Sequence, residues 1–215
     1  MALKDELKEL IMDWDEDGLR DICNKSIESN ELSPAEMLKL IGDVMRDIGD
    51  LFEKEEIFLP DLIGAAEVVK TVIDEVLDPA IRKSGEERVS LGKVVLGTVQ
   101  GDVHSIGKDL VAAFLFSNGF EVFNIGEEVP PLQYIEKAEE VGAKIIGLSS
   151  LLTMSMDIQK QVIEALRNKG LREKYKVIVG GSPTSKEWAE QIGADGWADD
   201  AIEAVEIAKK LVKEG

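Results

Sequence analysis

The chain has 215 residues, a formal net charge of −18 and an apolar fraction of 44%. This length allows two domains of about 100 residues each, and the acidic charge repels phosphate backbones, which argues against nucleic acid as a partner. The chain shows neither an apolar run long enough for a membrane span nor a signal-peptide pattern, and its single cysteine excludes an internal disulfide, so we expect a cytoplasmic protein with no membrane partner.

Residues 1–88 show only helical periodicity. Apolar residues recur at intervals of three and four in the segments 3–11, 18–29, 33–52 and 59–77. The third segment opens with Ser33, Pro34 and Glu36, which is the pattern of a capping box with proline at the first helical position. We therefore predict a four-helix bundle as the N-terminal domain, followed by a polar linker over residues 82–92.

Residues 89–215 alternate between strand and helix patterns. Strands are predicted at 93–100, 120–126, 143–151, 175–181 and 194–198, each followed by a helix. The helix after the fourth strand is expected to open with Thr184 and Glu187 as a second capping box. Five βα units predict a Rossmann-like α/β domain with a parallel, flavodoxin-like sheet in the order 2-1-3-4-5.

Ligands of such sheets bind beyond the carboxyl ends of the strands, so the candidate site residues lie in the strand-end loops. The first of these loops, "GDVHSIG", holds the only histidine of the chain, His104. Glycines in the first and fourth loops either let a ligand approach the backbone or serve ordinary turns.

His104 has three interpretations: an ordinary loop residue, a general base, or a metal ligand. Asp102 lies two positions away, and a carboxylate that accepts one ring N–H makes the other nitrogen a better ligand. A single histidine cannot build an ordinary zinc site, whereas a metal held by a macrocycle needs only one axial ligand. The third interpretation therefore favours a tetrapyrrole-type cofactor.

Other kinds of site fit the sequence less well. The glycine spacing of the first loop matches neither the dinucleotide fingerprint nor the P-loop, and no G-x-S-x-G element for a serine hydrolase is present. A response-regulator receiver would place an acidic residue after the third strand, where this chain has "SSLLT".

Three motifs resemble those of cobalamin-binding domains. "GDVHSIGKDL" resembles their D-x-H-x-x-G motif, "SSLLTMS" their S-x-L…T segment, and "VGGSP" their G-G loop. The helical half, with "GDLFEKEEIFLPDLIGAAEVV", resembles the cap of methionine synthase and of corrinoid proteins that serve methyltransferases in methanogens and acetogens. The resemblance covers essentially the whole chain, and it implies a cobalamin or related corrinoid as cofactor.

The resemblance also implies roles for individual residues. His104 would be the axial ligand of the corrinoid cobalt, Asp102 would hold its other nitrogen, and Ser155 would extend this hydrogen-bond chain, which makes these three the expected catalytic residues. Phe58 and Leu62 would cover the methyl-carrying face, although bundle core is the alternative for both. The remaining expected cofactor contacts are Gly101, Val103, Ser105, Ile106, Gly107, Ser149, Leu151, Thr153, Gly180, Gly181, Ser182 and Ala198.

The function implied is that of a corrinoid carrier subunit of a methyltransferase system, which is not a complete enzyme alone. One partner methyltransferase would load the cobalt from a small donor, with a methylamine favoured over methanol or a methoxylated aromatic. A second would pass the methyl group to coenzyme M or tetrahydrofolate, and a reductive activation protein would rescue the oxidised cobalt. The alternatives are a cobalamin-dependent regulatory module and the cobalamin subunit of a carbon-skeleton mutase.

Overall fold

The computed structural model describes residues 3–85 and 90–213, and the chain divides into two compact units after Ser90. None of the helices in these described ranges combines the length and the apolar character that crossing a bilayer requires.

The first unit is helical. Its helices are α1 (Leu3–Met12), α2 (Glu16–Glu28), α3 (Pro34–Glu53) and α4 (Leu59–Val72), and a π-helical segment (Ile73–Leu77) joins α4 to α5 (Asp78–Ser84). The predicted capping box opens α3, because the Glu36 N–H donates to Ser33 Oγ at 3.3 Å and the Ser33 N–H donates to Glu36 Oε2 at 2.9 Å. The predicted helical bundle is confirmed, with α5 as an addition.

The predicted linker starts too early in the sequence. Arg82 lies in α5, which ends where Gly85 adopts a left-handed conformation with φ of 74°. Glycine adopts this conformation without a steric penalty and commonly terminates helices. Polar side chains on the last turn of a surface helix look like a linker in sequence, which explains the error. Residues 86–89 of the predicted linker lie outside the described residues.

The second unit alternates strands and helices, as predicted. Its strands are β1 (Lys93–Thr98), β2 (Glu121–Asn124), β3 (Ile145–Ser149), β4 (Lys176–Gly180) and β5 (Gly196–Ala198). Its α-helices are α6 (Ile106–Ser117), α7 (Pro131–Val141), α8 (Met156–Asn168), α9 (Lys186–Ile192) and α10 (Ala201–Lys213), with a 3-10 turn at Arg172–Lys174. All pairings in the sheet are parallel, and the strand order β2-β1-β3-β4-β5 confirms the predicted topology.

Helices on both faces bury the central strands, which explains their nearly unbroken apolar sequences. In β1, for example, Val94, Val95 and Leu96 are all buried. The ends of four strands align in one register row, in which Thr98 pairs with Ser149, Ser149 with Gly180, and Gly180 with Ala198. The loops that follow these strands therefore emerge at one edge of the sheet.

The predicted capping box of α9 is wrong by one residue. Ser185, not Thr184, is the N-cap, and its hydroxyl accepts the Trp188 N–H at 3.2 Å. Thr184 is buried, and its hydroxyl donates to the Gly181 carbonyl at 2.6 Å and accepts the Trp197 indole N–H at 2.9 Å. Two adjacent hydroxyl residues make such a box ambiguous in sequence, and tertiary contacts decide between them.

Candidate functional site

His104 lies in the loop between β1 and α6, and its two ring nitrogens have different surroundings. Nδ1 is 2.7 Å from Asp102 Oδ1, while Nε2 has no hydrogen-bond partner in the part of the chain that the structure describes. The imidazole is 48% exposed, whereas the Asp102 side chain is completely buried. Because the carboxylate favours a proton on Nδ1, Nε2 keeps a free lone pair on a half-exposed ring.

Asp102 is held as a carboxylate inside the protein. Burial raises its pKa, but hydrogen bonds from the backbone N–H groups of His104 and Leu151, from the His104 ring and from the Ser155 hydroxyl outweigh burial and lower the pKa from 3.8 to about 2. The two backbone donors lie 3.0 Å and 2.6 Å from the carboxylate oxygens. Asp102 therefore remains negatively charged at neutral pH and continues to orient the imidazole.

Ser155 completes a buried hydrogen-bond chain behind the imidazole. Its hydroxyl is 3.1 Å from Asp102 Oδ2 and 2.8 Å from the hydroxyl of Ser150, and both serines are buried. The structure thus brings His104, Asp102 and Ser155 together as a connected group. The sequence analysis did not identify Ser150 as a fourth member, because it falls inside the predicted strand at residues 143–151.

The other predicted residues of the sheet edge come together as well. Ser149, Gly180 and Ala198 share the register row at the strand ends. Beyond that row, Leu151, Thr153 and Ser182 are exposed in the loops after β3 and β4. In the first loop, Gly101, Val103, Ile106 and Gly107 are exposed, while Ser105 is half-buried as the residue before α6.

Gly181 and Gly107 differ in whether the fold requires glycine at their positions. Gly181 has φ of 113°, and a Cβ atom there would overlap with the Ser150 carbonyl, so the fold itself requires it. Gly107 has an ordinary helical conformation in α6, and a Cβ atom there would meet no atom of the described residues within 4 Å. The fold gives no reason for glycine at position 107, which leaves close approach by a ligand as a reason.

Exposed apolar side chains surround the histidine loop. Ile106 is 71% and Met154 91% exposed, and Val103, Leu151 and Leu152 are also exposed. Five large apolar side chains in the first and third strand-end loops form a surface suited to a flat, largely apolar ligand. The sequence analysis missed Leu152 and Met154, although an apolar run after a strand end, where polar residues are common, is a signal that could have found them.

The two predicted residues of the helical unit differ in exposure. Phe58, the residue before α4, is 77% exposed, whereas Leu62 is completely buried. Leu62 lies at helical spacing from the buried residues Ala65, Val69 and Val72 of the same helix. For Leu62 the structure therefore favours the alternative of bundle core over a cofactor contact, because a side chain without exposed surface cannot cover a ligand in this conformation.

Two family matches cover most of the chain. Residues 92–206 match the family described as B12 binding domain, and residues 3–77 match a second family with the same description. The first match spans more than half of the chain and includes the histidine loop and all five strands.

Similar proteins match over nearly the full length. A corrinoid protein of Desulfitobacterium hafniense (strain Y51) is 44% identical over 99% of this chain and 98% of its own length. Dimethylamine corrinoid protein 2 of Methanosarcina acetivorans is 42% identical over 99% of both chains. Among solved structures, a cobalamin-binding protein from Desulfitobacterium hafniense DCB-2 is 32% identical over 98% of both chains, with a TM-score of 0.67.

These matches confirm the resemblance on which the predicted cofactor class, a cobalamin or related corrinoid, depended. The chain belongs to the family of B12-binding corrinoid proteins.

Proposed function

We propose that this protein is a corrinoid carrier that accepts a methyl group from a small donor through one methyltransferase and delivers it through a second. A methylamine is the favoured donor, because a dimethylamine corrinoid protein is 42% identical over nearly the whole chain. Methanol and methoxylated aromatics are the alternative donors. Coenzyme M or tetrahydrofolate is the proposed acceptor.

The arrangement of His104 carries this proposal. Nδ1 is fixed by a buried carboxylate at 2.7 Å, and Nε2 is left without a partner among the described residues. A catalytic base can use the same arrangement, so the match to a B12 binding domain favours the axial metal ligand, for which one nitrogen is held and the other is left free.

The surroundings of His104 fit a corrinoid. The five exposed apolar side chains of the histidine loop and the β3 loop offer a surface for the corrin ring. The open space beside Gly107 can accommodate the edge of that ring. The row of strand ends, with Ser149, Gly180 and Ala198, offers a polar backbone edge for the nucleotide tail. The bound corrinoid supplies a cobalt centre that can carry a methyl group.

The buried chain behind His104 controls the charge and orientation of the imidazole. Asp102 holds the proton on Nδ1, and Ser155 donates to the opposite carboxylate oxygen at 3.1 Å. If Nε2 held a metal, the adjacent carboxylate, with its hydroxyl donors, would keep the ring oriented from the opposite side. The exposed Phe58 is the remaining candidate for covering the methyl-carrying face.

The proposed partners follow from this role. A substrate-specific methyltransferase loads the carrier, a methylcorrinoid:coenzyme M or tetrahydrofolate methyltransferase unloads it, and a reductive activation protein restores oxidised cobalt. The similarity to a dimethylamine corrinoid protein supports the first of these partners.

The decisive experiment is the EPR spectrum of the Co(II) form, recorded with nitrogen-15 protein and unlabelled corrinoid. Superhyperfine doublets would place a protein nitrogen on cobalt, and His104 carries the only imidazole of the chain. Triplets would show that the corrinoid kept its own base, and the role proposed for His104 would be wrong. A His104→Ala variant serves as the control, and it should show no doublets.

The donor requires a separate assay. The reduced holoprotein is mixed with a dimethylamine-specific methyltransferase and dimethylamine, and the absorbance of the reduced corrinoid is followed. A methanol-specific methyltransferase with methanol is the matched control. Faster loss of the reduced spectrum with methanol than with dimethylamine would overturn the favoured donor and leave the carrier function intact.

A further inference from the structure

Glu128, in the loop after β2, has an unusual backbone conformation for its residue type. Its φ is 55°, in the left-handed region where a side chain is sterically unfavourable and where glycine is the ordinary choice. The side chain is exposed, so burial in the core does not explain the glutamate. Unfavourable backbone conformations persist when other contacts hold them in place.

Those contacts lead to the loop that carries His104. The Gly101 N–H donates to Glu128 Oε2 at 3.1 Å, and the Glu128 N–H donates to the Asp102 carbonyl at 3.2 Å. The side chain and the backbone of one residue thus bind two consecutive residues of the histidine loop. The carboxylate is a charged acceptor, which makes its hydrogen bond stronger than that of a neutral group.

A third contact fixes the other end of this loop. The buried Thr98 at the end of β1 donates its hydroxyl proton to the His104 carbonyl at 2.9 Å. The loop is therefore held at Gly101 and Asp102 by Glu128 and at His104 by Thr98. The contacts of Glu128 come from the loop after β2 and hold the backbone of the histidine loop, whereas Leu151 and Ser155 of the loop after β3 bind the Asp102 carboxylate.

We propose that Glu128 is a positioning residue that clamps the loop after β1 and thereby fixes the position of the His104 imidazole. The clamp acts through Asp102, whose carbonyl it holds and whose carboxylate orients the ring. The clamp itself is a property of the chain alone, whereas its effect on cobalt ligation rests on the function proposed above.

The neighbouring Glu127 provides a matched control. It is also an exposed glutamate, its φ is not positive, and it makes no hydrogen bond or ion pair within residues 3–85 and 90–213. Glu128→Gly removes the carboxylate and also relieves the backbone strain, so it should not unfold the protein. Glu128→Gln retains an acceptor without the charge. Glu127→Gly and Glu127→Gln make the same two changes at the adjacent position and serve as controls.

The first measurement is amide hydrogen exchange by NMR on the cofactor-free protein. We expect exchange at Gly101 to be about tenfold faster in Glu128→Gly, and less accelerated in Glu128→Gln, because a hydrogen bond to a charged acceptor is lost or weakened. The His104 N–H, which donates to Asp102, should also exchange faster. Both Glu127 variants should match the wild type. Unchanged exchange at Gly101 in Glu128→Gly would overturn the clamp.

The second measurement is the Co(II) EPR spectrum of each nitrogen-15 variant reconstituted with unlabelled hydroxocobalamin and reduced. We expect Glu128→Gly to bind the corrinoid but to show a smaller fraction of doublets than the wild type, with Glu128→Gln between them. Equal doublet fractions alongside faster exchange would show that the clamp does not position His104. A wild-type protein without doublets would refute the proposed function instead, and the exchange result would still decide the clamp.

Discussion

Replacing Gly107 by alanine separates the requirements of the fold from those of a ligand. Gly107 lies in the first turn of α6 with ordinary helical geometry, and an added Cβ would meet no atom within 4 Å in the part of the chain that the structure describes. Alanine is favoured over glycine in helices, so the cofactor-free variant should gain about 0.5–1 kcal/mol of stability. For a unit of this size, the midpoint of thermal unfolding should rise by about 2–4 °C.

Corrinoid binding should change in the opposite direction. If the ring edge lies against Gly107, a methyl group in that space forces the ligand or the helix to move. Overpacking of this kind costs about 1–3 kcal/mol, which corresponds to a dissociation constant about 5- to 150-fold higher. Titration of the cofactor-free protein with hydroxocobalamin, followed by absorbance, measures this constant.

Gly181→Ala is the contrasting variant. Gly181 has φ of 113°, and the Ser150 carbonyl occupies the place of a Cβ atom. The alanine variant should therefore lower the stability of the cofactor-free protein by about 2 kcal/mol or more. The reasoning about Gly107 would be refuted if Gly107→Ala bound hydroxocobalamin as tightly as the wild type. A lower melting temperature for Gly107→Ala would contradict the open space around it.

Three further predictions concern other residues. The folded-state pKa of Asp102 is about 2 against an ordinary 3.8, so its carboxylate contributes about 2 kcal/mol of stability that is present above pH 4 and is lost as the pH falls through about 2. The stability gap between wild type and Asp102→Asn in urea unfolding should therefore narrow over that range, and a constant gap would contradict the hydrogen-bond assignment. Ser155→Ala removes a donor to this buried carboxylate and should lower the free energy of unfolding, measured in urea without cofactor, by about 1.5–3 kcal/mol. Ser155→Thr keeps the hydroxyl and should lower it less, and equal losses in the two variants would show that the hydroxyl is unimportant. Phe58→Ala should change stability by less than about 0.5 kcal/mol because the side chain is 77% exposed. If Phe58 covers the corrinoid, oxygen should oxidise the reduced cofactor several-fold faster in this variant, and an unchanged oxidation rate would exclude Phe58 from the cap.

The sequence predicted the site best where the argument depended on topology. Alternating strand and helix patterns place the loops after β1, β3 and β4 at one edge of a parallel sheet, whichever side chains they carry. Topology therefore placed Asp102, His104 and Ser155 at one edge although Ser155 lies 53 positions after Asp102, and the resemblance to cobalamin-binding domains implied their hydrogen-bond chain. The observed register row from Thr98 to Ala198 is the physical basis of that grouping.

The prediction failed where two local patterns compete or where contacts between loops decide. Thr184 and Ser185 both fit an N-cap, and only the contact between Thr184 and Trp197 separates them. For Leu62 the sequence left bundle core and cofactor contact both open, because helical periodicity does not show which apolar face a ligand covers. Glu128 was an ordinary acidic loop residue in sequence, because its left-handed backbone and its bonds to the histidine loop exist only in the folded chain.

The way in which Asp102 is stabilised explains how one histidine suffices for the site. Its charge is compensated by backbone N–H groups and a serine hydroxyl, and no lysine or arginine contacts it among the described residues. The nearest lysine in sequence after the loop, Lys108, is buried and bound instead to Asn124 at 2.8 Å and to Asp109. A cation beside Asp102 would compete with the imidazole for the carboxylate and weaken its hold on Nδ1. Neutral donors keep Asp102 ionised and leave its attraction directed at His104, which suits the axial-ligand role proposed for Nε2.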